Sequence, residues 1–335
     1  MRILLSLVVV AAAAWSGFWY MGQLGVREGF AGWLEARRAE GWVAEAARVE
    51  TVGFPNRFDT GFSELHLADP ETGLAWEAPY FQINALSYKP NHVIAVWPER
   101  QLVATPERKY VVESADMRAS FVTGADIRLP VERVTLTAET LAITPEGGEA
   151  GPTRAAALRL AMERKATTGA TYRLGLAADG LSPALEWRVK LDPAGKLPER
   201  LDALSADMTV EFDKPWDRSA IEVARPQPRE IEIRLLEARW GRLELQAAGR
   251  VTVDAAGLPE GEIVVKARNW REILQMAVAS GTLPQGFANT LEDGLSLISQ
   301  MAGNPKTLDI PLNFKGGRVR LGPVPLGPAP VLRLR

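Results

Sequence analysis

The chain contains no cysteine and only two histidines, His66 and His92, among its 335 residues. The lack of cysteine excludes disulfides, thiolate metal sites and a cysteine nucleophile. A chain without thiols suits an oxidising compartment, where a stray thiol is a hazard, although cytosolic proteins can also lack cysteine. Neither histidine has an acidic partner at a regular spacing, which favours solvated or hydrogen-bonded roles over metal binding.

The sequence also lacks the motifs of common enzymes. It contains no glycine-rich phosphate loop, no HExxH helix and no GxSxG elbow. The carboxylates fall on the polar positions of predicted strands or in turns, although the two acids of a glycosidase can lie far apart in a chain. We therefore predict no enzymatic activity, no catalytic residue, no metal and no cofactor. The net charge of −2 gives no electrostatic case for nucleic acid as a partner.

Near the N-terminus, the segment Ile3–Gly22 carries no charged side chain. A helix of about 20 apolar residues crosses a bilayer whose hydrocarbon core is about 30 Å thick. Trp19 and Tyr20 near its end are typical of a membrane interface. A cleaved signal peptide is the alternative, with Ala11 to Ala14 as small residues for a peptidase. The apolar residues that follow favour an uncleaved anchor at residues 1–22.

Short N-terminal flanks usually stay cytoplasmic, so we predict a single-pass inner-membrane protein whose main domain is periplasmic. Residues 23–50 are predicted as a juxtamembrane helix, because Phe30, Trp33 and Trp42 recur at roughly helical spacing. This helix is expected to pack on the domain, with a helix lying in the membrane interface as the alternative.

Beyond residue 51 the apolar residues alternate with polar ones, which is typical of strands with one buried face. Such sheets are usually antiparallel. The alternation is clearest at residues 133–138, 158–163, 171–176, 186–191, 207–212, 230–235, 242–246, 308–314 and 318–321. A helical insert is predicted at about 269–302, where Asn269 and Glu272 resemble a capping box. The predicted fold of residues 51–335 is a long antiparallel β-meander curled into a groove or open barrel, with two or three helices besides the N-terminal transmembrane helix.

A single sheet with one apolar face needs a cover, and few helices are predicted to provide one. Either the sheet closes on an ordinary core, or it forms a groove that holds acyl chains. For a groove, the candidate ligand-binding residues are the aromatic side chains Trp76, Tyr80, Phe81, Trp97, Trp187 and Trp240.

Two stretches carry a resemblance to a known family. They are Gly53–Asp59 (GFPNRFD), which follows Gly41 and Trp42, and Pro311–Pro328 (PLNFKGGRVRLGPVPLGP). Together with the apolar N-terminus they resemble the domain-of-unknown-function family numbered 2125, membrane-anchored proteins of alphaproteobacteria. The segment Gly241–Asn269 is also similar to AsmA-like envelope proteins. These resemblances imply a periplasmic β-groove with a role near lipids, and they imply no catalytic residues.

The predicted function is therefore binding or handling of an apolar ligand, a lipid above all, in envelope maintenance. The alternative is a non-catalytic scaffold or interaction module for envelope proteins. The predicted partners are the membrane, through the N-terminal helix, and lipid or envelope proteins.

Overall fold

The computed structural model describes residues 1–147, 151–165, 169–193, 195–281, 283, 285–301, 307–322 and 324–334. The chain forms two compact units. Unit 1 comprises residues 1–125 and 136–147, and unit 2 comprises residues 126–135 and 148–335. The predicted fold class is confirmed: the chain is mainly β, its strands pair antiparallel in a meander, and a long apolar helix precedes them.

Unit 1 begins with one helix and continues almost entirely as strands. Its elements are α1 (Arg2–Ala39), β1 (Val43–Glu45), β2 (Arg48–Val52), β3 (Arg57–Asp69), β4 (Leu74–Leu86), β5 (Lys89–Val96), β6 (Arg100–Ala104), β7 (Lys109–Glu113), β8 (Asp116–Thr123) and the later part of β9 (Val131–Pro145). β3 pairs with β1, β2 and β4, and β4 also pairs with β5 and β6. The longest strands of unit 1, β3 and β4, thus form the centre of its sheet.

Helix α1 is long and apolar enough to span a membrane. It continues without a break through the predicted anchor and into the predicted juxtamembrane helix, and it ends at Ala39. Residues 43–45 and 48–52 are strands, so the helix predicted up to residue 50 is too long. The helix stops because Gly41 adopts a φ of +89°. Beyond it Ala44 is fully buried between the exposed residues Val43 and Glu45, which is the two-residue period of a strand.

Unit 2 is a meander in which consecutive strands are neighbours. Its elements are the start of β9, β10 (Thr153–Arg164), β11 (Thr171–Asp179), α2 (Leu185–Leu191), β12 (Ala203–Phe212), α3 (Ser219–Glu222), β13 (Pro228–Trp240), β14 (Leu243–Val253), β15 (Pro259–Arg268), α4 (Trp270–Ala279), α5 (Gln285–Met301), β16 (Thr307–Lys315), β17 (Arg318–Leu321) and β18 (Val324–Pro328). Each strand from β10 to β17 pairs with the one that follows it.

The helical insert of unit 2 is confirmed as α4 and α5, and its predicted limit at residue 302 lies outside the described residues. The capping box is wrong. Asn269 has a left-handed backbone, and its amide donates to the carbonyl of Arg242 instead of capping α4. Glu272 forms an ion pair with Arg242 at 2.7 Å. The buried side chains of Trp270, Leu295 and Leu308 hold the two helices against the sheet.

The segment 186–191, predicted as a strand, belongs to the short helix α2. Its alternation of apolar and charged residues does not correspond to a buried face, since Trp187 and Val189 are both exposed. Glu186 in the first turn and Lys190 in the last turn suit the helix dipole. Without a buried face, the two-residue period of this segment does not indicate a strand.

Candidate apolar ligand site

An apolar cavity of about 620 Å³ lies within unit 1, between α1 and one face of the sheet. Its lining comes from four elements and contains no charged side chain. The lining residues are Gly25, Val26, Gly29, Phe30, Trp33 and Leu34 of α1, Phe58, Thr60, Phe62, Leu65 and Leu67 of β3, Trp76, Phe81, Ile83 and Ala85 of β4, and Pro90 and Val93 of β5.

Glycines of α1 create the open space on the helical side of the cavity. A Cβ atom built at Gly25 or Gly29 would have no neighbour within 4 Å. One turn earlier the helix touches the sheet, because a Cβ at Gly22 would lie 2.6 Å from the ring of Phe58. The helix is therefore in close contact with β3 at Gly22 and leaves an open space beside Gly25 and Gly29.

The sheet side of the cavity depends on a point in β3 where the alternation of inward-facing and outward-facing side chains shifts by one residue. We call this shift a phase change. The buried residues Phe58 and Phe62 are separated by an even number of positions, but the next buried residue is Leu65. The change occurs at Glu64, which has a φ of +49°, a conformation that non-glycine residues rarely adopt. This residue keeps apolar side chains facing α1 along the length of β3.

Aromatic rings in mutual contact form one wall of the cavity. Phe30 of α1 meets Phe62 with ring centroids 5.1 Å apart, and Phe62 meets Phe81 at 5.9 Å. Phe81 also contacts Trp76 at 5.1 Å and Trp97 at 5.3 Å. The indole of Trp76 donates to the side-chain oxygen of Gln101 at 2.6 Å, so its polar atom already has a partner.

The hydroxyl of Thr60 contributes polarity to the lining, but it is already engaged. Thr51 and Thr60 are each 1% exposed, and their hydroxyl oxygens lie 2.9 Å apart in a hydrogen bond. Because both hydroxyls are almost completely buried and face each other, they offer little accessible surface to a third group. The cavity is therefore suited chemically to hydrocarbon.

Residues 19–330 match the family model described as an uncharacterised protein conserved in bacteria, DUF2125. The chain belongs to the DUF2125 family. The match covers the part of α1 that lines the cavity and all strands of both units. Comparisons of this DUF2125 protein with curated proteins and with solved structures found no match.

The structure of this DUF2125 member brings together three of the six predicted ligand-binding residues. Trp76 and Phe81 line the cavity, and the ring of Trp97 contacts that of Phe81 without lining the cavity itself. The glycines and aromatic residues of α1 were not predicted as part of a site. The signal that could have revealed them is the spacing of Gly22, Gly25 and Gly29, which places them along one side of the helix.

The other three predicted residues lie away from the cavity. Tyr80 is exposed on the opposite face of the sheet, where its ring covers Gly61. Trp187 is exposed on α2, with the Lys190 ammonium 5.2 Å from the centre of its ring. Trp240 is buried in unit 2, and its indole donates to the carbonyl of Pro198 at 2.7 Å.

Ionisable groups of the DUF2125 chain form structural pairs in unit 2. A hydrogen bond from Arg173 and a second one from Arg234 lower the pKa of Asp207 to about 2. Burial raises the pKa of the Tyr172 hydroxyl, which accepts a hydrogen bond from the backbone of Trp216. Among the described residues, no group of three or more acidic or histidine side chains could hold a metal ion.

Proposed function

We propose that this DUF2125 member is a single-span inner-membrane protein whose periplasmic domain binds the acyl chain of a lipid in the cavity beside α1. The observation that carries the proposal is the lining of that cavity, which is aliphatic and aromatic and has no charged side chain. Its volume of about 620 Å³ lies within the range of small-molecule sites, about 300–1,000 Å³.

The chemistry of the lining specifies which part of the ligand enters. Since Thr60 is bonded to Thr51, a headgroup inside the cavity would lose its hydrogen bonds to water without replacement. The hydrocarbon chain therefore enters, and the polar headgroup stays outside.

The binding free energy that can be gained from buried methylenes favours a ligand with a long acyl chain. Each buried methylene contributes about 0.8 kcal/mol, so ten give about 8 kcal/mol before the costs of association. Those costs are at least about 4 kcal/mol, which leaves roughly millimolar affinity for ten carbons. Micromolar affinity requires a chain of about fifteen carbons, which is the class of membrane phospholipids and long fatty acids.

The test uses full-length protein in liposomes that contain a phospholipid with a photoactivatable diazirine in its acyl chain. After illumination and digestion, mass spectrometry locates the adducts. We expect adducts on Trp33, Phe62 and Phe81, which line the cavity. Adducts from bulk lipid on the exposed apolar segment Ile3–Met21 serve as an internal control for labelling.

Adducts confined to the segment Ile3–Met21 would contradict the proposal, because lipid would then touch the helix without entering the cavity. Phe62 is 5% exposed in unit 1, so labelling there requires access to the interior. In that case the scaffold alternative takes the place of lipid binding.

A further inference from the structure

Two exposed aromatic side chains lie at the end of unit 1 that is nearest to residues 2–18 of α1, which are themselves exposed. Phe54, in the loop between β2 and β3, is 57% exposed, and Tyr88, in the turn between β4 and β5, is 64% exposed. The two turns are neighbours, because the backbone N–H of Ser87 donates to the carbonyl of Asn56 at 3.0 Å. Large exposed rings on adjacent turns are a feature of surfaces that enter a membrane interface.

Helix α1 is fastened to this same end. The indole of Trp15 donates to the carbonyl of Pro55, and the indole of Trp19 donates to the carbonyl of Arg57, both at 2.8 Å. The ring of Trp19 also meets that of Phe54 edge-on, with centroids 5.4 Å apart. The loop therefore lies at the level of Trp15 to Trp19 along the helix.

The uncharged part of α1 between Arg2 and this attachment is too short to cross a bilayer by itself. Residues 3–14 rise about 18 Å at about 1.5 Å per residue. A hydrocarbon core of about 30 Å leaves roughly 12 Å to be crossed by later residues of the uncharged segment, which ends at Gly22. Those later residues include Trp15 and Trp19, and the loop with Phe54 is attached to them.

We infer that the turns carrying Phe54 and Tyr88 insert into the interface of the bilayer that α1 spans, with the exposed ammonium of Lys89 at the level of anionic headgroups. This inference rests on the proposed membrane span and on the proposed lipid ligand. Side chains inserted in this way reach about 5–10 Å into the boundary between headgroups and acyl chains. The unit is then attached to the membrane at α1 and at the two turns.

The consequence concerns the source of the ligand. Phe58, Ala85 and Pro90 line the cavity, and each lies within two residues of one of the inserted turns or its flanking strand end. This end of the cavity is then at the headgroup level. An acyl chain of the adjacent leaflet enters the cavity directly and does not cross water.

The test exploits the absence of cysteine, which makes single-cysteine labelling clean. Full-length Phe54→Cys and Tyr88→Cys proteins carry an environment-sensitive NBD label in liposomes of phosphatidylethanolamine and phosphatidylglycerol. The matched control is Glu71→Cys, in the exposed turn that follows the far end of β3. We expect a blue-shifted emission and several-fold stronger quenching by spin-labelled lipid at positions 54 and 88 than at position 71.

Equal emission and quenching at all three positions, in protein that floats with the liposomes, overturns the inference. Diazirine adducts on Phe62 and Phe81 in the same preparation would leave the lipid-binding proposal standing. Protein that does not float with liposomes overturns both, because the membrane span is common to them. Phe54 and Tyr88 are both more than half exposed, but Phe54 also meets the ring of Trp19, so unchanged circular dichroism and flotation are required of both variants before their emission is compared.

Discussion

Replacing Gly29 by leucine is expected to close the cavity from its helical side without destabilising the protein. Gly29 lines the cavity, and a side chain there would meet no atom within 4 Å of its Cβ. Leucine in place of glycine improves helix stability by about 0.8 kcal/mol. Its four added carbons gain up to about 0.8 kcal/mol each on burial, and only part of this is realised in a wide cavity. The expected gain for unligated protein is about 1–3 kcal/mol.

Gly32→Leu is the matched control. Gly32 is exposed in the same helix, also has nothing within 4 Å, and does not line the cavity. Chemical denaturation in lipid-free detergent measures the stability of both variants, and diazirine-lipid labelling of β3 and β4 peptides measures access to the cavity. We expect labelling to fall at least tenfold in Gly29→Leu and to stay at the wild-type level in Gly32→Leu.

Two results would refute this reasoning. Wild-type labelling of β3 and β4 in Gly29→Leu would mean that the lipid does not occupy the space beside Gly29. A lower stability of Gly29→Leu than of Gly32→Leu would mean that the added side chain collides with its surroundings, so that the space is not open in solution.

Three further outcomes follow from other contacts. Thr51→Val and Thr60→Val each leave one buried hydroxyl unpaired and should cost about 1–3 kcal/mol in denaturant unfolding, whereas the double variant should cost less than the sum of the two. Asp207 has a folded pKa of about 2, below the ordinary aspartate value of 3.8, so its pairing stabilises the protein at neutral pH and is lost as the pH falls from about 5 through 2. Asp207→Asn should therefore lower stability at pH 7 by less than about 1 kcal/mol, because the carboxylate is a third exposed, and unfolding should depend less on pH in that acidic range. Leu308→Ala should cost about 2–5 kcal/mol in thermal unfolding because Leu308 is 1% exposed in the core of unit 2, whereas Asp309→Ala on the opposite side of the strand should be nearly neutral.

The sequence predicted most strands well because burial of one face imposes a two-residue period. Strands such as β11 and β12 show it: Tyr172 and Val210 are buried and paired across the sheet, with charged residues between the apolar ones. The same pattern misled at residues 186–191, where no face is buried and α2 forms. The alternation of residues in the sequence also gave no indication of the phase change at Glu64. A glutamate with a left-handed backbone conformation has no local sequence signature.

The candidate site could be predicted only in part. Trp76 and Phe81 were found because large aromatic residues in a strand-rich segment indicate an apolar surface. The helical side was missed because it depends on the missing side chains of Gly25 and Gly29. The distance between a helix and a sheet is set by tertiary packing and cannot be read from the sequence. That distance decides whether a glycine of the helix lies in close contact with the sheet, as Gly22 does, or beside an open space, as Gly25 and Gly29 do.

The pairing of each strand of unit 2 with its successor has a consequence for how that unit forms. Contacts between consecutive strands close shorter loops than contacts between strands far apart in the chain, which lowers the entropic cost of each step. From β11 to β18 each strand pairs with the strand synthesised just before it. The sheet can therefore form in the order of synthesis. While strands are still being added, the growing sheet presents an unpaired edge, and we expect mispairing with a second copy of the chain to begin at this edge.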